Sequence, residues 1–344
     1  MSQSTTEITK TGIVITGPEK SRSLAEGIAS DEIQSEFQPM EATSIEPGHK
    51  ITFQHLQPAM KKAAKDTDVH LIIGLDEPGG KIAIAVRKVP KGAFMVLNVN
   101  QLASILIDDI LEGQEEEEKS LHILQSIHIS EMVEQIARKN HLPLDKLIVS
   151  PGEILKEAKK LAKKGEKVFA VSENQEYFYS EGGIKALVTQ VALLEGRLRA
   201  QGYTLFDRLI LLYGKHGFYK EKTFVRDISS DEQKKHAKEV MDNIRQKPSG
   251  FHPAFDLTKL VDYRKGLEKN FLTGKEIPLS HDKHDILELH LEDGAQITLM
   301  PLEDIMHYHI SIPGGTIRDK RAYADTNLAS ERRIVKLVGT LNQL

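Results

Sequence analysis

The sequence contains neither cysteine nor tryptophan. The first absence excludes disulfides, thiol nucleophiles and thiolate metal centres, and it fits a reducing compartment. The second leaves aromatic stacking to 8 Tyr, 11 Phe and the histidines. A surplus of positive charge is also lacking: 46 Lys and Arg stand against 50 Asp and Glu, a formal charge of −4. No basic excess exists to hold a phosphate backbone, which argues against nucleic acid as a partner. Long apolar runs are scarce. The longest candidate, Gln101 to Leu111, carries Asp108 and Asp109 and falls short of the roughly 20 residues a membrane helix needs. Met1 to Lys10 is polar and rich in Ser and Thr, without the basic-then-apolar order of a signal peptide. The expectation is a soluble, cytoplasmic chain with no membrane partner.

What is present suits two or three globular domains: 344 residues, 40% hydrophobic and 28% charged. Gly12 to Thr16 reads as a short strand, and Ser23 to Ile28 as weakly helical. Gln38 to Lys50 is broken by Pro39, Pro47 and Gly48 and reads as loop. Pro58 is placed as the first residue of a helix to Lys65. The nearly continuous apolar runs Val69 to Ile73 and Ile82 to Val86 predict buried strands about the turn Asp76 to Lys81. Ala93 to Leu97 adds a strand and Gln101 to Leu111 a helix. This first α/β domain is expected over 1–112. Gly113 to Lys119, with four consecutive glutamates from Glu115, reads as a solvated linker.

A second α/β domain is expected over 119–247. Its strands are Leu121 to Ile127, Lys146 to Val149, Val168 to Val171 and Tyr219 to Val225, the last with Lys220 and Lys222 outward. Its helices run from Ser130 to Asn140, Pro151 to Lys164, Ile184 to Gln201, Leu205 to His216 and Ser230 to Gln246. Strands alternating with helices argue for a largely parallel sheet. Pro248 to Pro253 is a linker. The remainder, 255–344, reads as a small antiparallel α+β domain: Asp285 to Leu291 and Ala295 to Leu299 about the turn at Gly294, a strand His307 to Ile312, and a helix Ser330 to Leu341.

Several blocks together resemble the phosphohexomutases, the phosphoglucomutase and phosphomannomutase superfamily. Gly74 to Val86 is similar to their metal loop, D-P-D-A-D-R-L-A-V-A, and Asn100 to Leu102 to their N-Q-L helix start. Phe169 to Tyr177 resembles the sugar-recognition segment F-G-F-E-E-S-x-G-Y. Gly183-Ile184, Tyr203 to Thr223, Asp262-Tyr263, Pro278-Leu279 and Leu291 to Gly294 follow in the family's order. The resemblance implies two mutase-type α/β domains with mixed sheets, then a small C-terminal α+β domain. It begins within the second of the family's four domains. The first, which carries the serine nucleophile in T-x-S-H-N-P, has no counterpart here.

The chemistry carried by the resemblance is altered at each place. Those mutases move a phosphoryl group, whose charge must be met by metal and cations. Of the three aspartates that hold Mg²⁺, only Asp76 is kept; Pro78 and Gly80 stand at the others, with Glu77 nearby and Lys81 in place of the loop arginine. In the segment T-x-x-G-F-K, here Val149 to Ile154, Gly152 is kept and Ile154 replaces the lysine that faces phosphate, next to Glu153. Ser172, Glu173 and Asn174 stand for E-E-S and can still accept from sugar hydroxyls. The phosphate clamp R-P-S-G-T-E-P-K is replaced by Met300, Pro301, Leu302, Glu303 and Asp304, two acids where a dianion would sit. Ser280 to Asp285 is read as a surface loop, and His307 and His309 as one exposed strand face. No phosphate-loop or dinucleotide glycine pattern occurs.

The expectation is a noncatalytic binding or regulatory homologue with no catalytic residue. It has no cofactor, or at most weakly held Mg²⁺. A sugar or phosphosugar is the expected ligand, and a protein partner or a second copy of the chain the expected companion. The alternative is an active Mg²⁺-dependent hexose-phosphate mutase, an isomerase acting by intramolecular phosphotransfer in carbohydrate metabolism, completed by a separate chain.

Overall fold

The apolar run at the start of the chain forms β1 (Gly12–Gly17), a central strand that pairs in parallel with β2 (Ser35–Pro39) on one side and β3 (Val69–Asp76) on the other. The computed structural model describes residues 12–28, 33, 35–40, 50–66, 68–76, 80–114, 120–147, 151–248, 252, 255–279 and 283–343. The chain divides into two compact units, Met1–Leu212 and Tyr213–Leu344. Among the described residues no helix is long and apolar enough to cross a membrane.

In the first unit β3 turns back into β4 (Lys81–Arg87) and then β5 (Phe94–Val96), both antiparallel, giving the order β2-β1-β3-β4-β5. Every residue of β3 and β4 is buried. This is why their sequences read as continuous apolar runs rather than alternating ones. Two helices flank β2 in sequence, α1 (Arg22–Ile28) and α2 (Phe53–Ala63). The second lays Leu56, Ala59, Met60 and Ala63 on Val14, Ile72, Ala83 and Ala85. It starts five residues earlier than the sequence suggested. Thr52 and His55 form a capping box, with the Thr52 N–H donating to His55 Nδ1 at 2.9 Å, so Pro58 lies inside the helix. A second capping box, Asn98 with Gln101, opens α3 (Val99–Glu112).

The second sheet of this unit has the order β7 (Leu144–Leu147), β6 (His122–Ser126), β8 (Val168–Val171), β9 (Tyr177–Tyr179). The first three are parallel and β9 is antiparallel, so this sheet too is mixed. Around it run α4 (Glu131–Lys139), α5 (Pro151–Lys163), α6 (Gly183–Ala200) and α7 (Leu205–His216). Asp108 and Asp109, anomalous in an apolar helix, are both paired. Arg208 meets Asp108 and Glu112, while Asp109 accepts from Gln190 Nε2 at 2.8 Å and Arg197 Nη2 at 2.7 Å.

The second unit holds one antiparallel sheet of seven strands. Its order is β10 (Phe218–Asp227), β16 (Ile305–Gly315), β15 (Gln296–Leu302), β14 (Leu287–Leu291), β11 (Leu257–Asp262), β12 (Leu267–Asn270), β13 (Glu276–Pro278). Two helices, α8 (Asp231–Gln246) and α9 (Lys320–Leu341), supply Met241, Ile244, Ile334, Leu337 and Leu341 to a core with Leu289, Ile297, Leu299 and Ile310. Three expectations are corrected here. The strand at Tyr219 to Val225 forms, but beside β16 in this sheet rather than in the preceding α/β domain. Its Lys222 is exposed, as expected, and Lys220 is half-buried; both pair with Glu331 of α9. His307 is half-buried and His309 is not on an exposed face. It is buried and sits 2.9 Å from Thr223 Oγ1. The closing helix also begins ten residues early, where Asp319 Oδ1 accepts from the Arg321 and Ala322 N–H groups.

Candidate functional site

The turn between β3 and β4 is where the resemblance placed a metal loop. Asp76 closes β3 and Lys81 opens β4; Glu77, Pro78 and Gly79 lie outside the described residues. Gly80 has φ +64°, a left-handed conformation that a side chain would strain, and it delivers Lys81 to the second sheet. There the backbones join: Ile82 N–H donates to the Gln175 carbonyl at 3.2 Å, Tyr177 N–H donates to the Gly80 carbonyl at 3.1 Å, and Lys81 faces Glu176 in an antiparallel bridge.

The partner in that bridge is the tight turn after β8, the expected sugar loop. Gln175 N–H donates to the Ser172 carbonyl at 3.1 Å and Ser172 N–H to the Glu176 carbonyl at 3.0 Å. Gln175 itself is left-handed, φ +61°, and its Oε1 accepts the Ile51 N–H at 2.9 Å. The structure therefore brings Asp76, Lys81, Ser172, Glu173 and Asn174 onto two joined turns. It adds Gln175 and Glu176, which the sequence comparison did not single out. The signal available for Glu176 was its spacing from Glu173 across a short turn between strands.

The electrostatics of the joined turns are local. Lys81 is almost fully buried, with a side chain 2% exposed, and its Nζ stands 4.0 Å from Asp76 Oδ2. Burial pushes the Glu176 carboxyl above the usual carboxylate range; the Lys81 ammonium and the Ser172 hydroxyl, which donates to Glu176 Oε2 at 3.3 Å, act against that rise. Glu173 Oε2 is buried with no hydrogen-bond partner among the described residues. Magnesium asks for near-octahedral oxygen coordination at about 2.0–2.1 Å. Among the described residues no three His, Asp or Glu side chains converge to hold a metal. The one retained aspartate faces an ammonium, so the donor set described does not fit that ion.

The remaining expected positions lie elsewhere. Ile154, at the place of a phosphate-facing lysine, is fully buried with Leu124, Val168 and Ala170, while Gly152 and Glu153 are exposed. Val149 and Ser150 are outside the described residues. In the second unit Met300 is buried on β15, and Pro301 and Leu302 end that strand. Glu303 (φ +52°) and Asp304 make the exposed turn into β16. Asp304 Oδ1 lies 2.7 Å from Lys234 Nζ, and its carbonyl accepts the Ile228 N–H at 2.8 Å. Of the proposed surface loop, Ser280 to Asp282 are outside the described residues, but Asp285 pairs with Arg245 and Arg264.

No protein-family model matches the chain. In sequence it is similar to the phosphoglucomutase of Staphylococcus saprophyticus, 21% identical over 247 residues, which are 70% of this chain and 44% of that protein. The chain thus spans under half the length of the curated relative it matches. In fold it is similar to a phosphoglucomutase/phosphomannomutase family protein from Burkholderia thailandensis, with a TM-score of 0.55 and 11% identity, covering 96% of this chain and 62% of that one. It is also similar to parafusin, an exocytosis-sensitive phosphoprotein and phosphoglucomutase from Paramecium in its open form, with a TM-score of 0.52 and 13% identity, covering 82% and 48%.

Proposed function

We propose that the chain, similar in sequence to a phosphoglucomutase and in fold to a phosphoglucomutase/phosphomannomutase family protein, is a phosphohexomutase-superfamily protein without mutase activity, a binding or regulatory homologue. The turn between β15 and β16 carries the reading. At the place where the resemblance puts a phosphate clamp, the exposed side chains are Leu302, Glu303 and Asp304, and Met300 turns inward. Two carboxylates repel a dianionic ester, and a leucine offers no hydrogen bond to one. Lys234 beside Asp304 is itself paired to that acid and exposed.

In this reading the protein is cytoplasmic and needs no Mg²⁺. The turn Ser172 to Glu176 is what remains for carbohydrate: the half-buried Asn174 is polar and Glu173 Oε2 has no hydrogen-bond partner among the described residues, whereas Ser172, expected to face a sugar, is fully buried and donates to Glu176. Its companion is a protein partner or a second copy of the chain.

A thermal-shift titration with Mg²⁺ and glucose 1-phosphate, glucose 6-phosphate or mannose phosphates tests the reading. A ligand held at 100 times its Kd adds about 2.7 kcal/mol to stability, an easily read shift. The expected result is no Mg²⁺-dependent shift with any phosphosugar. A saturable, Mg²⁺-dependent shift abolished by Asp76→Ala contradicts the reading and favours a mutase completed by a separate chain.

A further inference from the structure

We infer that the imidazole of His122, gripped between Asp145 and Glu166, is a protonation-dependent clasp that closes the amino ends of three parallel strands. The clasp lies where β6, β7 and β8 begin, whereas the joined turns follow the carboxyl end of β8. It therefore does not depend on the noncatalytic reading.

His122 opens β6, the strand between β7 and β8. It is opposed to Val168 on β8, while Asp145 on β7 is opposed to Leu124. By the strand period of two, His122 shares a face with Leu124. On that face Leu124, Val168 and Ala170 pack with Ile154, Ala158 and Leu161 of α5. The ring stands at the end of this cluster with its side chain 15% exposed. Glu166 comes from the turn between α5 and β8, where Gly165 has φ +90° and the Glu166 N–H donates back to the Leu161 carbonyl at 3.3 Å. His122 Nδ1 lies 2.7 Å from Glu166 Oε2, and Nε2 lies 2.9 Å from Asp145 Oδ2. One side chain thus ties β6 both to β7 and to the turn that feeds β8.

A neutral imidazole carries one N–H and one bare nitrogen, and an ionised carboxylate only accepts. With a neutral ring, one contact is a hydrogen bond and the other sets a lone pair against a carboxylate oxygen. The imidazolium donates to both. Burial of the ring opposes its charge, but the hydrogen bonds to Glu166 and Asp145 and their negative charges outweigh it and hold the His122 pKa above the ordinary 6.5. Those two acids are the charged groups acting on the ring among the described residues. Lys146, next to Asp145, pairs with Glu134, and Lys160 of α5 pairs with Glu157 at 3.1 Å. A base whose pKa is raised by folding stabilises the fold while it is protonated. The clasp is whole below about pH 6.5 and loosens as pH climbs through the raised value. Above it, one of the two contacts is lost.

The test is Hε1–Cε1 NMR of the histidines in the full chain, titrated between about pH 5 and pH 9. The His122 signal is identified by its absence from His122→Gln. Its midpoint is expected above 6.5, lower in Asp145→Asn and in Glu166→Gln, and lowest in the double variant. Both acids are substantially exposed, with side chains at 57% and 40%, so their substitution leaves the packed core intact. Thermal melts of wild type and the double variant need no assignment. Wild type is expected to melt about 2 °C higher at about pH 6 and at the same temperature at about pH 9, a small gap because the acids are half in water. A wild-type midpoint at or below 6.5, a midpoint that both substitutions leave unchanged, or a melting difference that does not vary with pH overturns the inference. None of these outcomes involves phosphosugar binding, on which the noncatalytic reading stands or falls.

Discussion

Gln175 Oε1 accepts the backbone N–H of Ile51 at 2.9 Å, a buried contact between residues 124 apart in sequence. It ties Ile51 to the candidate site, because Gln175 also forms the turn that Lys81 meets. Gln175→Ala leaves the Ile51 N–H buried and unpaired, an expected loss of about 1–3 kcal/mol. Gln175→Gly loses the same bond but suits the left-handed φ of +61°. Urea unfolding should therefore rank wild type above the glycine variant and the glycine variant above the alanine. An alanine variant as stable as wild type would remove this contact from the account.

Arg245 is the matching hub of the second unit. Its Nε lies 3.2 Å from both oxygens of Asp262, and it also meets Asp242 at 3.3 Å and Asp285. Arg245→Met leaves Asp262 buried without its counter-charge, which costs about 3–5 kcal/mol when such a pair is broken. The double variant Arg245→Met, Asp262→Leu should lose less than the sum of the single losses. A double-mutant cycle that came out additive would show the pair to be uncoupled.

Glu195 makes stability depend on pH. Burial pushes its carboxyl up to about 7 from 4.5, while its hydrogen bond from the Leu205 N–H and the nearby Arg199 act against that rise. A raised acid binds its proton more tightly in the folded state. Its contribution is therefore fully present below about pH 4.5 and is lost as pH rises through about 7. Glu195→Gln keeps an acceptor for Leu205 and abolishes the titration. Melting curves should show the variant gaining on wild type between these limits and holding the gain at pH 8. A constant difference across that range would contradict the assignment.

Ile154 shows how far the site has moved from the resemblance. A reversion to the family's residue, Ile154→Lys, would place an ammonium among Leu124, Val168 and Ala170 rather than before a ligand. Burying an unpaired charge or forcing local unfolding costs several kcal/mol. The variant is expected to be strongly destabilised and to gain no affinity for hexose phosphates. A stable, phosphosugar-binding variant would show that position 154 faces the ligand after all.

The fold was legible mostly where periodicity or a cap had a local cause. Buried strands such as β3 and β4 announce themselves as apolar runs, and Ser130, at the start of α4, caps as its residue type suggests, its Oγ accepting the Met132 N–H at 3.0 Å. Two helix starts were placed late although their caps, Thr52 with His55 and Asp319, are local; the misread strand came from pairing over long sequence distance. Tyr219 to Val225 reads as a strand in isolation, but nothing local says that its partner is Ile305 to Gly315. That unseen neighbour also supplies Thr223, whose Oγ1 lies 2.9 Å from His309 Nδ1. The short strands β12 and β13, Leu267–Asn270 and Glu276–Pro278, are polar and take their conformation from the edge they extend. In the candidate site Asp76, Lys81, Ser172, Glu173 and Asn174 could be named from motif positions. Glu176 could not, because its role comes from a single bridge between two sheets.

The central claim, a mutase fold without mutase chemistry, is tested most directly by turnover. Purified protein is given glucose 1-phosphate, Mg²⁺ and a trace of the hexose bisphosphate, and formation of glucose 6-phosphate is followed by a coupled dehydrogenase. The account predicts no product above the protein-free control, with or without Mg²⁺. Mg²⁺-dependent turnover that disappears in Asp76→Ala and in Glu173→Gln would contradict it.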